Sequence, residues 1–207
     1  MKYNWQWFNE PELWSQTGQE LQMRVTPKTD YWRETHYGFT VDDGPFAYIE
    51  RGGEFEAKVK LIGDYQHRFD QMGLMLRIDE QNWIKTGVEF VDNRMNISAV
   101  VTRQKSDWSL MATEELWPFV WIKVIRRLDA VEISYSRDDE NYQMIRLAYF
   151  AQDRVVKVGL YAASPDGAGF DATFSKFQIL HLADLQREQW LRTNGSSANL
   201  MDTNKMR

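Results

Sequence analysis

In the segment NWIKTGVEFV, Lys85 and Glu89 stand four residues apart, with Trp83 and Gly87 at the same parity. Alternation puts these four on one side of a strand and Ile84, Val88 and Phe90 on the other. A carboxylate flanked by cations stays ionised, which suits a base or nucleophile better than an acid. Glu89 is therefore the first candidate for acid–base chemistry, and His36 the second. Glycoside hydrolysis requires two carboxyl groups roughly 5–10 Å apart, and the sequence assigns only Glu89 to this side. A second group of chemical interest is KTDYWRETHYGFTVDDGP, residues 28–45, which sets Tyr31, Trp32, His36, Tyr37 and Phe39 among Asp30, Arg33 and a closing Asp-Asp-Gly-Pro. It reads either as the lip of a binding site or as an aromatic loop folded over a core.

Other chemistries lack their residues. There is no cysteine, which excludes disulfides and thiolate metal sites. His36, His67 and His181 are far apart and form no H-E-x-x-H, so no zinc site is visible. No G-x-S-x-G elbow, phosphate loop or dinucleotide fingerprint occurs, and no cofactor is expected. RDDEN and SPDGAGFD hold oxygen ligands, but they do not fit the EF-hand spacing, and turns rich in Asp and Gly need no metal. The net charge of −5 with scattered basic residues argues against nucleic acid, which requires a basic stripe. The N-terminal MKYNWQWFNEPELW lacks the apolar run of a signal peptide, and no later segment has the length and apolarity of a span. A soluble, cytoplasmic protein is the expectation.

The elements that must carry these residues are strands. In EFEAKVKLIG, Phe55, Ala57, Val59 and Leu61 alternate with Glu56, Lys58 and Lys60. QMGLMLRID, WIKTGVEFV, RMNISAVVT, VWIKVIRR, AVEISYS, QMIRLAYF, VVKVGLYAAS and FDATFSKFQIL alternate likewise, separated by turn-forming stretches such as DEQN, VDNR and SPDGAG. Many short, closely spaced strands predict an antiparallel all-β sandwich, and 207 residues suffice for its core. The end differs: Leu182, Leu185, Gln189 and Trp190 have helical spacing, followed by a polar tail. The division is a sandwich over 1–181 and a short helix with tail over 182–207.

IKVIRRLDAVEISYSRDDENYQMIRL followed by VKVGLYAASPDGAGFDATFSKFQI resembles the C-terminal half of the concanavalin A-like lectin/glucanase jelly roll. WFNEP, KTDYWRETHYGF, GLMLRIDEQNWIKTGVEF and SDWS are similar to an enolase-regulator-type family of undefined activity within that superfamily, over about Trp5 to Leu180. The resemblance implies two packed antiparallel sheets. It also implies that the outward-facing sets of neighbouring strands line one concave face carrying Arg77, Trp83, Lys85, Glu89, Asn96, Ser98 and Tyr161. Loops holding Asp30, Trp32, His36 and Trp108 would form its rim. The E-x-D-x-x-E strand of the superfamily's laminarinase-type enzymes is missing here. Aromatic plates beside oriented polar groups suit sugars, although the same residues also describe an ordinary solvated sheet face. The leading expectation is a non-catalytic, lectin-like domain binding a saccharide or sugar-phosphate, with Arg77 and Lys85 suited to an anionic substituent. The alternatives are a glycan-active hydrolase or lyase using Glu89, and a protein-interaction module regulating a metabolic enzyme, as the resembled family implies.

Overall fold

Each alternating segment forms a strand. The computed structural model describes residues 3–151 and 155–183. In chain order its strands are β1 (Gln6–Phe8), β2 (Trp14–Thr17), β3 (Glu20–Arg24), β4 (Tyr31–Arg33), β5 (Thr40–Asp42), β6 (Phe46–Arg51), β7 (Phe55–Gly63) and β8 (Gln71–Arg77). They continue as β9 (Asn82–Val91), β10 (Arg94–Arg103), β11 (Lys105–Ala112), β12 (Val120–Arg127), β13 (Ala130–Ser136), β14 (Gln143–Tyr149), β15 (Val156–Ala163) and β16 (Asp171–His181). The first sheet runs β1-β6-β15-β8-β9-β10-β11 and the second β14-β13-β12-β7-β16-β3-β2, while β4 and β5 form a separate two-stranded ribbon. All these pairings are antiparallel, giving a jelly-roll sandwich.

Two local expectations change. SDWS is not a loop at the rim but the middle of β11, the edge strand of the first sheet, paired so that Trp108 lies opposite Val100. The 28–45 stretch is not wholly a loop either, because Tyr31–Arg33 and Thr40–Asp42 pair as a ribbon. Of the expected C-terminal helix only Leu182 and Ala183 fall within the described residues; Leu182 is buried and its amide donates to the Glu54 carbonyl at 3.2 Å.

The principal core lies between the sheets. Met72, Leu74 and Leu76 of β8, Ile84 and Val88 of β9, Met95, Ile97, Ala99 and Val101 of β10 and Val156, Val158 and Leu160 of β15 all belong to it. These are the positions that alternation assigns inward. At its centre the opposite face of the first sheet is not solvated either: every residue of β8 is buried, on both faces. Tyr31, Trp32, Phe46, Met75, Trp83, Val100 and Tyr161 form a second, smaller core there, beneath the ribbon.

Candidate functional site

Residue pairing across the strands sets the layout of this covered face. Met75, Lys85, Val100 and Trp108 make one lateral row. Gln71, Glu89 and Asn96 make another, and the row between them contains Tyr161, Gly73, Gly87 and Ser98. Gly73 and Gly87 face each other so closely that a Cβ on Gly73 would stand 1.9 Å from the Thr86 carbonyl oxygen. The lysine and glutamate rows are thus separated, over β8 and β9, by backbone alone.

The ribbon is fastened over these rows by polar contacts. Tyr31 donates its hydroxyl to the Gly44 carbonyl, and a Cβ on Gly44 would meet the Tyr31 ring at 2.7 Å, so this closing turn requires glycine. The Arg33 amide donates to Ser106 Oγ at 3.0 Å and its Nε to the Gln104 carbonyl at 3.0 Å. Between β4 and β5 the chain turns through left-handed backbone at Glu34, His36 and Gly38, a conformation costly for residues with a Cβ.

What the ribbon leaves open is a cavity of about 170 Å³. Five aromatic rings wall it: Trp32, Tyr37, Phe39, Phe69 and Trp108. They form an unbroken belt, with ring centroids at 5.7 Å for Phe39–Tyr37, 5.6 Å for Tyr37–Trp32, 6.3 Å for Trp32–Trp108 and 6.3 Å for Trp108–Phe69. Asp30, Gln71, Lys85 and Glu89 supply the polar lining, with Val100, Pro165 and Asp166 completing it.

The polar groups form two knots. Lys85 Nζ donates to the Tyr31 carbonyl at 2.8 Å and Gln71 Oε1 at 2.6 Å, and lies 3.5 Å from Asp30 Oδ1. Gln71 Nε2 donates to Asp30 Oδ1 and to the Phe69 carbonyl, each at 3.2 Å. Glu89 Oε2 accepts from Ser98 Oγ at 2.8 Å and Trp108 Nε1 at 2.9 Å. Burial pushes the Glu89 carboxyl above its ordinary value, against the lowering influences of Lys85, Ser98 and Trp108. This reverses the direction expected from flanking cations. Arg77 gives Glu89 no help, because it forms a bidentate pair with Asp42 at 2.7 and 2.5 Å beneath the Phe8 ring.

Of the residues proposed from sequence, the cavity brings together Asp30, Trp32, Lys85, Glu89 and Trp108, with Ser98 directly behind Glu89. The others lie apart from its lining. His36 is exposed at the ribbon tip with its ring against Tyr37, 4.8 Å between centroids. Trp83 is buried edge-on to Tyr31 and donates Nε1 to the Glu80 carbonyl at 3.3 Å. Tyr161 is likewise buried edge-on to Tyr31, 6.2 Å between centroids. Asn96 donates to the Glu89 and Arg94 carbonyls at 3.3 and 3.0 Å. Trp32 is 8% exposed, yet its ring lines the cavity. Exposed lip and buried structural ring are therefore not alternatives for it; neighbouring rings bury its flanks while part of it stays on the wall.

Gln71 and Phe69 are lining residues that the sequence reading did not name, while Tyr37 and Phe39 belong to the 28–45 stretch it read as a possible lip. Gln71 shares parity with Gly73, Met75 and Arg77, so extending the alternation by one step would have found it. Among the described residues no group of three His, Asp or Glu side chains is arranged to hold a metal ion. In RDDEN, Asp138 accepts from the Glu140 and Asn141 amides and from Ser136 Oγ, which accounts for this turn by its own hydrogen bonds.

Residues 7–182 match one family, described as "Protein of unknown function (DUF1349)". The chain belongs to that family. It is 36% identical over 173 residues to "Regulation of enolase protein 1" of Saccharomyces cerevisiae, covering 84% of this chain and 87% of the relative. A crystal structure of a functionally unknown protein from Saccharomyces cerevisiae superposes with a TM-score of 0.82 at 35% identity, covering 86% of this chain and 96% of the other. The legume lectin-like domain from Entamoeba histolytica superposes with a TM-score of 0.59 at 10% identity, covering 86% and 90%. The last likeness concerns the fold, which is the concanavalin A-like sandwich.

Proposed function

We propose that this family member is a non-catalytic, lectin-like binding domain whose cavity takes one small saccharide ring. The observation that carries the reading is the belt of five rings around a carboxylate-bearing floor. Aromatic faces stack on the C–H faces of a sugar, and carboxylate oxygens accept from its hydroxyls. The size agrees: about 170 Å³ is a one-ring space, since a cavity of about 150 Å³ holds a benzene-sized molecule. A sugar-phosphate has less support. Lys85 is fully engaged by three acceptors, and Arg77 is paired with Asp42.

A second reading, a protein-interaction module acting on a metabolic enzyme, is favoured by the name of the yeast relative. It is compatible with the first, because a ligand seated under the ribbon would alter the surface offered to a partner. Calorimetric titration with a monosaccharide panel, followed by product analysis, tests the proposal. Binding in the micromolar to millimolar range with the sugar recovered intact supports it. Absence of any binder overturns it, and turnover abolished by Glu89→Gln would replace it with a glycan-active enzyme using Glu89 and Asp30.

A further inference from the structure

We propose that the saccharide carries a protonated amine, so that the cavity is an amino-sugar site. This rests on the saccharide reading and narrows it. The argument starts from which hydrogen-bonding groups remain free. Every side-chain nitrogen on the cavity wall is already engaged: Lys85 by Tyr31, Gln71 and Asp30, Gln71 by Asp30 and Phe69, Trp32 by Thr35, and Trp108 by Glu89. The acceptors are not. Glu89 uses only Oε2 and Asp30 only Oδ1, which leaves Glu89 Oε1 and Asp30 Oδ2 without a hydrogen-bond donor among the described residues. The site therefore asks for a donor and has little to offer an acceptor.

Charge points the same way. Glu89, Asp30 and Asp166 line the cavity against the single ammonium of Lys85. Two further cations touch lining residues without pairing with Glu89 or Asp30: Lys28 donates to the Asp166 carbonyl at 2.6 Å, and the Arg68 guanidinium lies over the Phe69 ring at 4.5 Å. Glu89 is only 6% exposed, and the neighbouring Lys85 ammonium is paired with Asp30 rather than with it. A buried charge without a partner is costly, and a cation delivered to it is held strongly. The surrounding rings add attraction of their own, because aromatic faces are negative. A neutral sugar would satisfy the stacking and leave this charge deficit unmet.

Calorimetry on the full chain at neutral pH, with glucosamine, glucose, glucose 6-phosphate and tetramethylammonium, decides the matter. Glucosamine should bind about tenfold or more tighter than glucose, the scale of one added charge-assisted contact, and glucose 6-phosphate should bind no better than glucose. Glu89→Gln should bring the glucosamine-to-glucose ratio close to one. Equal affinity for glucosamine and glucose in the unmodified protein overturns the amino-sugar assignment and leaves the saccharide reading standing. Binding of tetramethylammonium with no sugar binding, or no binding at all, overturns both. The comparison of ligands on the unmodified chain does not depend on whether the variant folds.

Discussion

The outer faces of the two sheets are built from the same residue types and end in opposite environments. On the second sheet Lys58, Lys60 and Lys123 alternate with Val59, Val124 and their neighbours, and remain half-buried. Their stems lie along aromatic surface, with Lys58 Nζ 5.3 Å from the Trp121 ring centroid, Lys60 Nζ 3.7 Å from Phe119 and Lys123 Nζ 3.6 Å from Tyr142. On the first sheet Arg77, Lys85 and Glu89 occupy equivalent alternating positions, but they are 6%, 3% and 6% exposed. A charged residue on an outward-facing strand position is thus a solvated decoration in one sheet and part of a buried polar network in the other. The ribbon of residues 31–42 makes the difference, and it makes the energetics differ too. Charges that water still reaches contribute little, whereas covered ones must be fully matched or they destabilise.

The largest expected effect comes from breaking the cover itself. Trp32→Ala should cost roughly 3–5 kcal/mol in denaturant unfolding, as truncation of a buried aromatic does, and should also remove a cavity wall. Loss of ligand binding without loss of stability would show that the ring is not part of the second core. Next is the contrast between equivalent lysines. Lys85→Met leaves the Tyr31 carbonyl, Gln71 and Asp30 without their shared donor and should cost about 3 kcal/mol. Lys58→Met removes a more exposed pair with Asp139 and should cost about 1 kcal/mol or less. Equal costs for the two lysines would erase the distinction between the faces.

The smallest effect concerns pH. Glu89 binds its proton more tightly in the folded protein than in the unfolded chain, because burial raises its folded value above the ordinary 4.5. Stability from this group is therefore full below that ordinary value and declines as pH rises toward the raised one. Replacing Glu89 by Gln removes this slope and should make the variant gain relative to the parent between mildly acid and neutral pH. Unfolding curves across that interval check the sign; a parent that becomes relatively more stable with rising pH would contradict the burial of Glu89.

Much of the fold was legible because side-chain parity is local. The split of β8 into Met72, Leu74 and Leu76 against Gly73, Met75 and Arg77, and of β9 into Ile84 and Val88 against Trp83, Lys85 and Glu89, follows from the pleat alone and is what the sandwich contains. SDWS was harder. Its one large apolar residue, Trp108, stands between polar neighbours, so an edge strand with weak alternation reads as a loop. The site was legible only in part. Lys85, Glu89, Asp30, Trp32 and Trp108 could be named, but Arg77 could not be separated from them, since parity places it on the same face and only the approach of Asp42 removes it.

Sequence by itself determined which residues turn inward, which turn outward and that the strands form a sandwich, because those outcomes depend on a two-residue period and on turn chemistry close along the chain. Only the tertiary structure decided that the centre of the outward face of the first sheet is covered, that Glu89 is buried, and that Asp30 and Gln71 meet Lys85 across 55 and 14 positions of sequence. Such meetings are set by where a ribbon comes to rest on a sheet. No local period encodes that position; it follows from the joint fit of Tyr31, Trp32, Trp83 and Tyr161 in the second core.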